Sequence, residues 1–249
     1  LIKSLSKSEK RYFKVSIPHT ENAEYLQLFD AIDRQKTFDE EAIKSQFMDK
    51  AFVNQLTTIK NYLKNKIFQS LRSFHSKLSV NTELLDIIRN VEILYHKGLY
   101  DLCFSELLRA EKKAKQFENS MILFHILDWK RKVSQTIAPQ DFDTMEAIVT
   151  KQKETLESTK EYTDLILANI HPHQFSISHK QASSLQNRTL KTLHKYRKLL
   201  NQDAPDKAKQ IIEELLKEWE DHPSLLKEFF TMYFSTTNNL LGLLVHKKL

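Results

Sequence analysis

Glycine occurs at only two of the 249 positions of this chain, Gly98 and Gly242. Doubly wound sheets, β-sandwiches and barrels need glycine at tight turns, and phosphate-binding loops need it where the backbone approaches the ligand. Two isolated glycines exclude a GxGxxG fingerprint, a Walker loop and a GxSxG nucleophile elbow. Residues that favour helices, chiefly Leu, Lys, Glu, Gln and Ala, are abundant instead. We therefore expect an all-α protein with no β-sheet.

Residues 91–119 show the building unit most clearly, as a helix, a tight turn and a second helix. Apolar side chains recur three or four positions apart through the first helix and define one buried face. Gly98 follows that helix, and glycine adopts a positive φ at a helix end without steric cost. The apolar stripe of the second helix contains the small residues Cys103 and Ala110, which let two helices approach closely.

Five residues of this unit resemble the centre of a tetratricopeptide repeat. In that motif a glycine and an aromatic residue are followed, at the same offsets, by a small residue, a large apolar residue and an alanine. The corresponding residues here are Gly98, Tyr100, Cys103, Leu107 and Ala110. The chain departs from the motif at Asn90 and Val91, which replace its usual Leu-Gly pair, and at Lys115, which stands in place of its closing proline. More loosely, the opening LIKSLSKSEKRYFK and the KGLYDLC segment are similar to an uncharacterised family of bacterial helical-repeat proteins. That resemblance implies a cytoplasmic, tetratricopeptide-like array and supplies no activity.

Proline spacing supports a repeated helix pair. Pro139, Pro172 and Pro205 are separated by 33 residues each, and tetratricopeptide-like arrays have a period of about 34. We therefore expect a right-handed α-α superhelix of about ten antiparallel helices around one continuous core. Residues 1–249 would form a single helical-repeat domain, and a sub-boundary between an N-terminal helical segment and the array could fall near residues 76–82.

The last predicted helix is apolar along most of its length, from Leu226 to Leu244. A terminal repeat needs a polar outer face to remain soluble. We therefore expect this chain to be part of a longer array in which further helices follow, or to self-associate through this apolar C-terminal helix.

The composition of the chain indicates its cellular compartment. A single cysteine excludes an internal disulfide framework and fits a reducing environment. The first fourteen residues contain five basic ones and no apolar core follows, so no secretory signal is visible. No segment approaches the roughly 18 apolar residues that a membrane-spanning helix requires. These features predict a cytoplasmic protein without a membrane segment.

The most unusual stretch is an acid-free window. Residues 165–202 contain no Asp or Glu in 38 positions, but six basic residues and four histidines. Four cations cluster on one side of the helix predicted here: Arg188, Lys191, Lys195 and Lys198. They are candidates for binding an anionic partner, either a phosphate backbone or an acidic peptide. The alternative is a solvated basic face that is neutralised by nearby acids such as Glu218.

Candidates for catalysis or metal binding are weak. His171, His173 and His179 form the one histidine cluster, but no Cys or carboxylate lies beside them in sequence to complete a zinc site. Cys103 falls on an apolar stripe, where a free cysteine packs as a small hydrophobic residue. We therefore expect no enzyme activity, no metal site and no cofactor.

The sequence leaves two functions open. The first is a non-enzymatic scaffold that binds a peptide or helix of another protein on the concave face of the superhelix. The second is a nucleic-acid-binding helical module that uses the basic face near residues 188–198, together with the basic face of residues 3–14.

Overall fold

The computed structural model describes residues 1–17, 24–171 and 184–246. In these ranges the chain is helical and contains no β-strand, so the all-α prediction is confirmed. The α-helices are α1 Lys7–Val15, α2 Glu24–Arg34, α3 Glu40–Gln46, α4 Leu56–Phe74, α5 Val80–His96, α6 Tyr100–Gln116, α7 Ser120–Ile137, α8 Phe142–Ile170, α9 Leu185–Asn201, α10 Pro205–Glu220, α11 Pro223–Glu228 and α12 Phe230–His246. Short 3-10 helices occupy Ile2–Ser4 and Ala51–Gln55. No helix in the described ranges has a stretch long and apolar enough to cross a membrane.

The chain divides into two compact units, an N-terminal unit Leu1–Leu78 and a C-terminal unit Ser79–Leu249. This division falls inside the range 76–82. The buried apolar side chains of the described residues form four clusters, one in the N-terminal unit and three in the C-terminal unit. The described residues therefore form several separate clusters and not the single continuous core that the sequence led us to expect.

In the N-terminal unit, α4 packs against both α1 and α2. Ser6 and Glu9 start α1 with a capping box, in which each side chain accepts a hydrogen bond from the backbone N–H of the other residue. The rings of Phe13 and Phe29 lie 4.8 Å apart between α1 and α2. Burial of a side chain such as Phe29 contributes about 1.5–3 kcal/mol to stability.

The hairpin of α5 and α6 opens the C-terminal unit. Gly98 has φ of +72°. Its N–H donates to the carbonyl of Tyr95 at 3.0 Å, and the N–H of Leu99 donates to the carbonyl of Leu94 at 3.0 Å. This pair of bonds is a Schellman motif. Beyond the turn, Cys103, Leu107 and Ala110 are fully buried along α6, so these residues of the repeat signature pack in the core.

The same motif closes two other hairpins without glycine. Glu118, between α6 and α7, has φ of +50°, and Asp203, between α9 and α10, has φ of +55°. In each turn the two hydrogen bonds of the Schellman motif are present. A left-handed conformation costs a non-glycine residue on the order of 1 kcal/mol, so packing or contacts elsewhere must offset this strain.

Helices α5 and α7 lie side by side and run in the same direction. Near their N-termini, the side-chain N–H of Asn119 donates to the side-chain oxygen of Asn81 at 3.2 Å. Near their C-termini, the hydroxyls of Tyr95 and Thr136 lie 2.9 Å apart, and the Tyr95 ring meets the edge of Trp129. Helices α5 and α7 are therefore aligned along their lengths.

Between α6 and α7, buried Glu111 accepts hydrogen bonds from Lys115 at 2.7 Å and from Lys130 at 2.6 Å. Burial alone would raise the pKa of Glu111, but the two lysines outweigh it and hold that pKa below its ordinary value. This ion pair fixes α7 against α6.

Helix α8 breaks the alternation of antiparallel helices. It has 29 residues against 18 in α7, so it is about 43 Å long against about 27 Å and extends past α7. Glu161 contacts Asn187 and Lys191 near the start of α9, and the carbonyl of Ala168 lies 3.1 Å from His194 further along both helices. Helices α8 and α9 therefore run in the same direction, and the expectation of antiparallel pairs throughout is wrong at this step.

Helix α9 packs on α8, α10 packs on α9, and α11 and α12 pack on α10. Trp219 of α10 is fully buried, and its indole N–H donates to the hydroxyl of Thr189 on α9 at 2.9 Å. Helix α12 returns along α10, since Tyr233 reaches Glu220 at one end while Leu243 packs with Ala208 at the other.

Candidate functional site

The four candidate cations of the acid-free window lie on α9. Two side chains from different parts of the chain hold the start of this helix. The Ser184 hydroxyl accepts from the backbone N–H of Asn187 at 3.1 Å. The carboxylate of Glu118 accepts from the N–H of Leu185 at 2.9 and 3.0 Å, and from that of Gln186 at 3.4 Å. An anionic group at this position also interacts favourably with the helix dipole.

Two of the four candidate cations pair with glutamates from neighbouring helices. Arg188 donates to Glu218 of α10, with its Nε at 2.8 Å and its Nη2 at 2.7 Å from the same oxygen. The Nζ of Lys191 lies 2.9 Å from a carboxylate oxygen of Glu161 on α8. The side chains of both ion pairs, Arg188 with Glu218 and Lys191 with Glu161, are at most partly exposed. These contacts therefore fix α9 between α8 and α10.

The other two candidates are exposed on the surface. Lys195 lines a shallow pocket of about 230 Å³ between α9 and α10, where Glu214 and Glu218 are also present. Lys198 lies one turn further along α9. The face at residues 188–198 therefore has two parts. Arg188 and Lys191 contribute to helix packing, whereas Lys195 and Lys198 are exposed.

A buried histidine lies beneath this face. His194 is almost fully buried, and its Nδ1–H points at the carbonyl of Ala168 on α8 at 3.1 Å. Among the described residues, its Nε2 has no hydrogen-bond partner. Burial lowers the pKa of His194, and the charges of Lys198 and Arg197 lower it further. The ring is therefore neutral at ordinary pH.

The basic face of α1 is partly paired as well. The Nζ of Lys10 lies 2.6 Å from Asp33, and that of Lys14 lies 2.6 Å from Asp30, both on α2. Lys3 donates to the backbone carbonyl of Asp33, and Lys7 is exposed.

The residues considered for metal binding or catalysis do not lie on the basic faces of α1 and α9. His171 follows the last residue of α8, whereas Pro172, His173 and His179 lie outside the described residues. No group of three metal-ligating side chains occurs within the described part of the chain. Cys103 is fully buried, its Sγ lies 3.5 Å from the carbonyl of Val91, and burial raises the pKa of its thiol.

Helix α12 has an exposed apolar surface. Phe230, Phe234, Leu241 and Val245 fall on one side of this helix and are each more than half exposed. The rings of Phe230 and Phe234 are stacked with their centroids 6.0 Å apart.

Glu218 was among the acids expected to neutralise α9, whereas Glu161 and Glu118 were not expected there. Both lie outside the acid-free window and on elements that periodicity alone could not place beside α9. The signal that could have found them is the window itself, because a segment without acids must draw its counter-charges from other elements.

Comparisons of this chain with protein-family models, with curated proteins and with solved structures each find no match.

Proposed function

We propose that this protein is a non-enzymatic scaffold that binds a peptide or a helix of another protein. The observation that carries the proposal is the pairing of Arg188 with Glu218 and of Lys191 with Glu161. These cations stabilise the helix packing, which reduces the charge that the basic face offers to a phosphate backbone.

The binding surface in this proposal is the concave face of a tetratricopeptide-like superhelix. Support comes from α5 and α7, which are joined by α6 and run in the same direction in register. On α5, Leu85 and Ile93 lie two turns apart with Arg89 between them, and all three are exposed. Arg89 lies 3.4 Å from Asp86 on the same helix. A partly apolar helix face with a surface ion pair suits an amphipathic peptide. A cytoplasmic location belongs to the same proposal, since the lone cysteine fits a reducing compartment.

Affinity capture from native lysate, with and without nuclease, tests the scaffold. Retention of the same partner protein after nuclease treatment supports it, provided that Leu85→Ser with Ile93→Ser reduces the retained amount. The double variant Leu102→Ser with Leu108→Ser is a matched control, because both side chains are similarly exposed on α6.

A nucleic-acid-binding module is the second candidate, and the exposed Lys195 and Lys198 favour it. Binding of a labelled oligonucleotide would then weaken steeply as salt rises, and Lys195→Glu with Lys198→Glu would abolish it. Binding that does not change with salt would reject this candidate.

We also propose that the apolar surface of α12 pairs with a second copy of the chain. A self-complementary patch is what a symmetric dimer uses, and the stacked Phe230 and Phe234 would form its centre.

A further inference from the structure

An open apolar groove crosses the N-terminal unit between the first 3-10 turn, the residues that join α2 to α3, and α4. Its volume is about 390 Å³. Ile2, Leu63 and Ile67 make its floor and are buried. Because Leu63 and Ile67 lie one helical turn apart on α4, the floor is a continuous apolar strip.

Two aromatic side chains form the rim of this groove. Phe38 is 51% exposed and Phe68 is 44% exposed, and both line it. Half-exposed aromatic rings beside an apolar floor are typical of surfaces that bind a partner, since such rings supply much of the binding energy when they are covered.

Three lysines surround the apolar surface: Lys3, Lys60 and Lys64. Lys60 is paired with Glu40 at 2.6 Å and lies 5.9 Å from the centre of the Phe38 ring. Lys3 donates to the backbone carbonyl of Asp33 and makes no ion pair among the described residues. Lys64 is exposed and makes no ion pair within the part of the chain that the structure describes. The rim therefore carries a net positive charge.

We propose that this groove binds an amphipathic helix of a partner protein, with acidic residues beside its apolar side chains. A helix presents apolar residues three or four positions apart, which matches the spacing of the groove floor, and its flanking carboxylates would meet Lys3 and Lys64. A volume of this size accommodates a few side chains rather than a whole enclosed ligand.

A nucleic acid fits this groove less well than a helix. Phosphate contacts account for most of the binding energy of a basic nucleic-acid site, and an apolar floor adds none of them. The groove lies in the N-terminal unit, whereas the proposed scaffold surface lies in the C-terminal unit. The two proposals are therefore tested by different substitutions, and either one can fail alone.

A display library of helical peptides of about 14 residues, or four turns, selected against the full chain tests the groove. We expect selected peptides to share apolar residues three or four apart, flanked by Asp or Glu. Lys64→Glu should weaken their binding by about tenfold or more, because like charges then face each other. Arg72→Glu is the matched control, since Arg72 is exposed on the same helix and does not line the groove.

Phe68→Ser should weaken binding to a similar extent, and circular dichroism shows whether that variant folds. If it does not, Lys64→Glu alone decides, because Lys64 is exposed and forms no ion pair with any described residue. Three results would overturn the proposal: no enriched peptide, an enriched sequence with basic or uncharged flanks, or binding that Lys64→Glu leaves unchanged. A fatty acid that binds where no peptide does would also overturn it.

Discussion

The carboxylate of Glu118 accepts hydrogen bonds from the backbone N–H of Leu185 with both of its oxygens, at 2.9 and 3.0 Å. Glu118 sits in the turn between α6 and α7, and Leu185 is the first residue of α9. The contact joins the turn between α6 and α7 to α9, which packs against α8 and α10. It also explains why a strained, left-handed turn holds a glutamate where the equivalent turn at Gly98 holds glycine.

The Glu118→Gly variant should therefore lose protection at the start of α9 without a large change in the free energy of unfolding of the protein. The change relieves backbone strain of about 1 kcal/mol and removes a cap of similar value, so the free energy of unfolding should change little. Hydrogen exchange at the amides of Leu185 and Gln186 should nevertheless accelerate by roughly tenfold, as expected for the loss of a cap of about 1 kcal/mol. Asp203→Gly is the control turn and should leave those two amides protected. Unchanged exchange in Glu118→Gly would show that the carboxylate does not hold α9.

The turns show where sequence analysis succeeds and where it stops. The helix end with a positive φ at Gly98 was predicted from the sequence, because glycine adopts a positive φ without steric cost. The turns at Glu118 and Asp203 have the same hydrogen bonds without that mark, so only the structure reveals them. Periodicity likewise shows which face of a helix is buried but not which neighbour covers it. For that reason the shared direction of α8 and α9 could not be predicted.

The basic face of α9 illustrates the same limit. Its four cations lie within the single helix Leu185–Asn201, and their spacing follows the helical period. Their partners Glu161 and Glu218 lie 30 residues away along the chain in opposite directions. No local pattern connects such positions without knowledge of the fold.

The contact between Glu9 and His75 should make the N-terminal unit sensitive to acid. A hydrogen bond from His75 at 2.6 Å, followed by those from Ser6, lowers the pKa of Glu9 from 4.5 to about 2. Since the folded-state pKa is the lower one, the stabilisation is complete above about pH 4.5 and is lost as the pH falls towards 2. In an NMR titration, His75→Ala should raise the midpoint of Glu9. An unaltered midpoint would contradict the assignment.

Buried His194 should make the C-terminal unit less stable as the pH falls below 6.5. Its pKa is lowered mainly by burial, so the unfolded chain binds a proton first and the neutral, folded form loses stability on acidification. His194→Leu should flatten the dependence of the urea midpoint on pH between 7.5 and 5. His125→Gln is the control, because His125 is exposed on α7. If both variants follow the wild-type curve, His194 does not carry the effect.

The apolar surface of α12 should support concentration-dependent association. In sedimentation equilibrium, Phe234→Ser should weaken a dimer by at least about tenfold, as expected for an aromatic side chain at the centre of an interface. Phe142→Ser is the matched control, since Phe142 is 70% exposed on α8. Equal association of both variants would place the contact elsewhere.

The scaffold role is tested most directly by affinity capture in the presence of nuclease, with the wild-type chain and the Lys195→Glu, Lys198→Glu variant side by side. We predict that both retain the same partner protein in equal amount, because the open half of the basic face is not the binding surface. Loss of the partner after nuclease treatment, together with its loss from the charge-reversed variant, would contradict the scaffold and assign the protein to nucleic-acid binding.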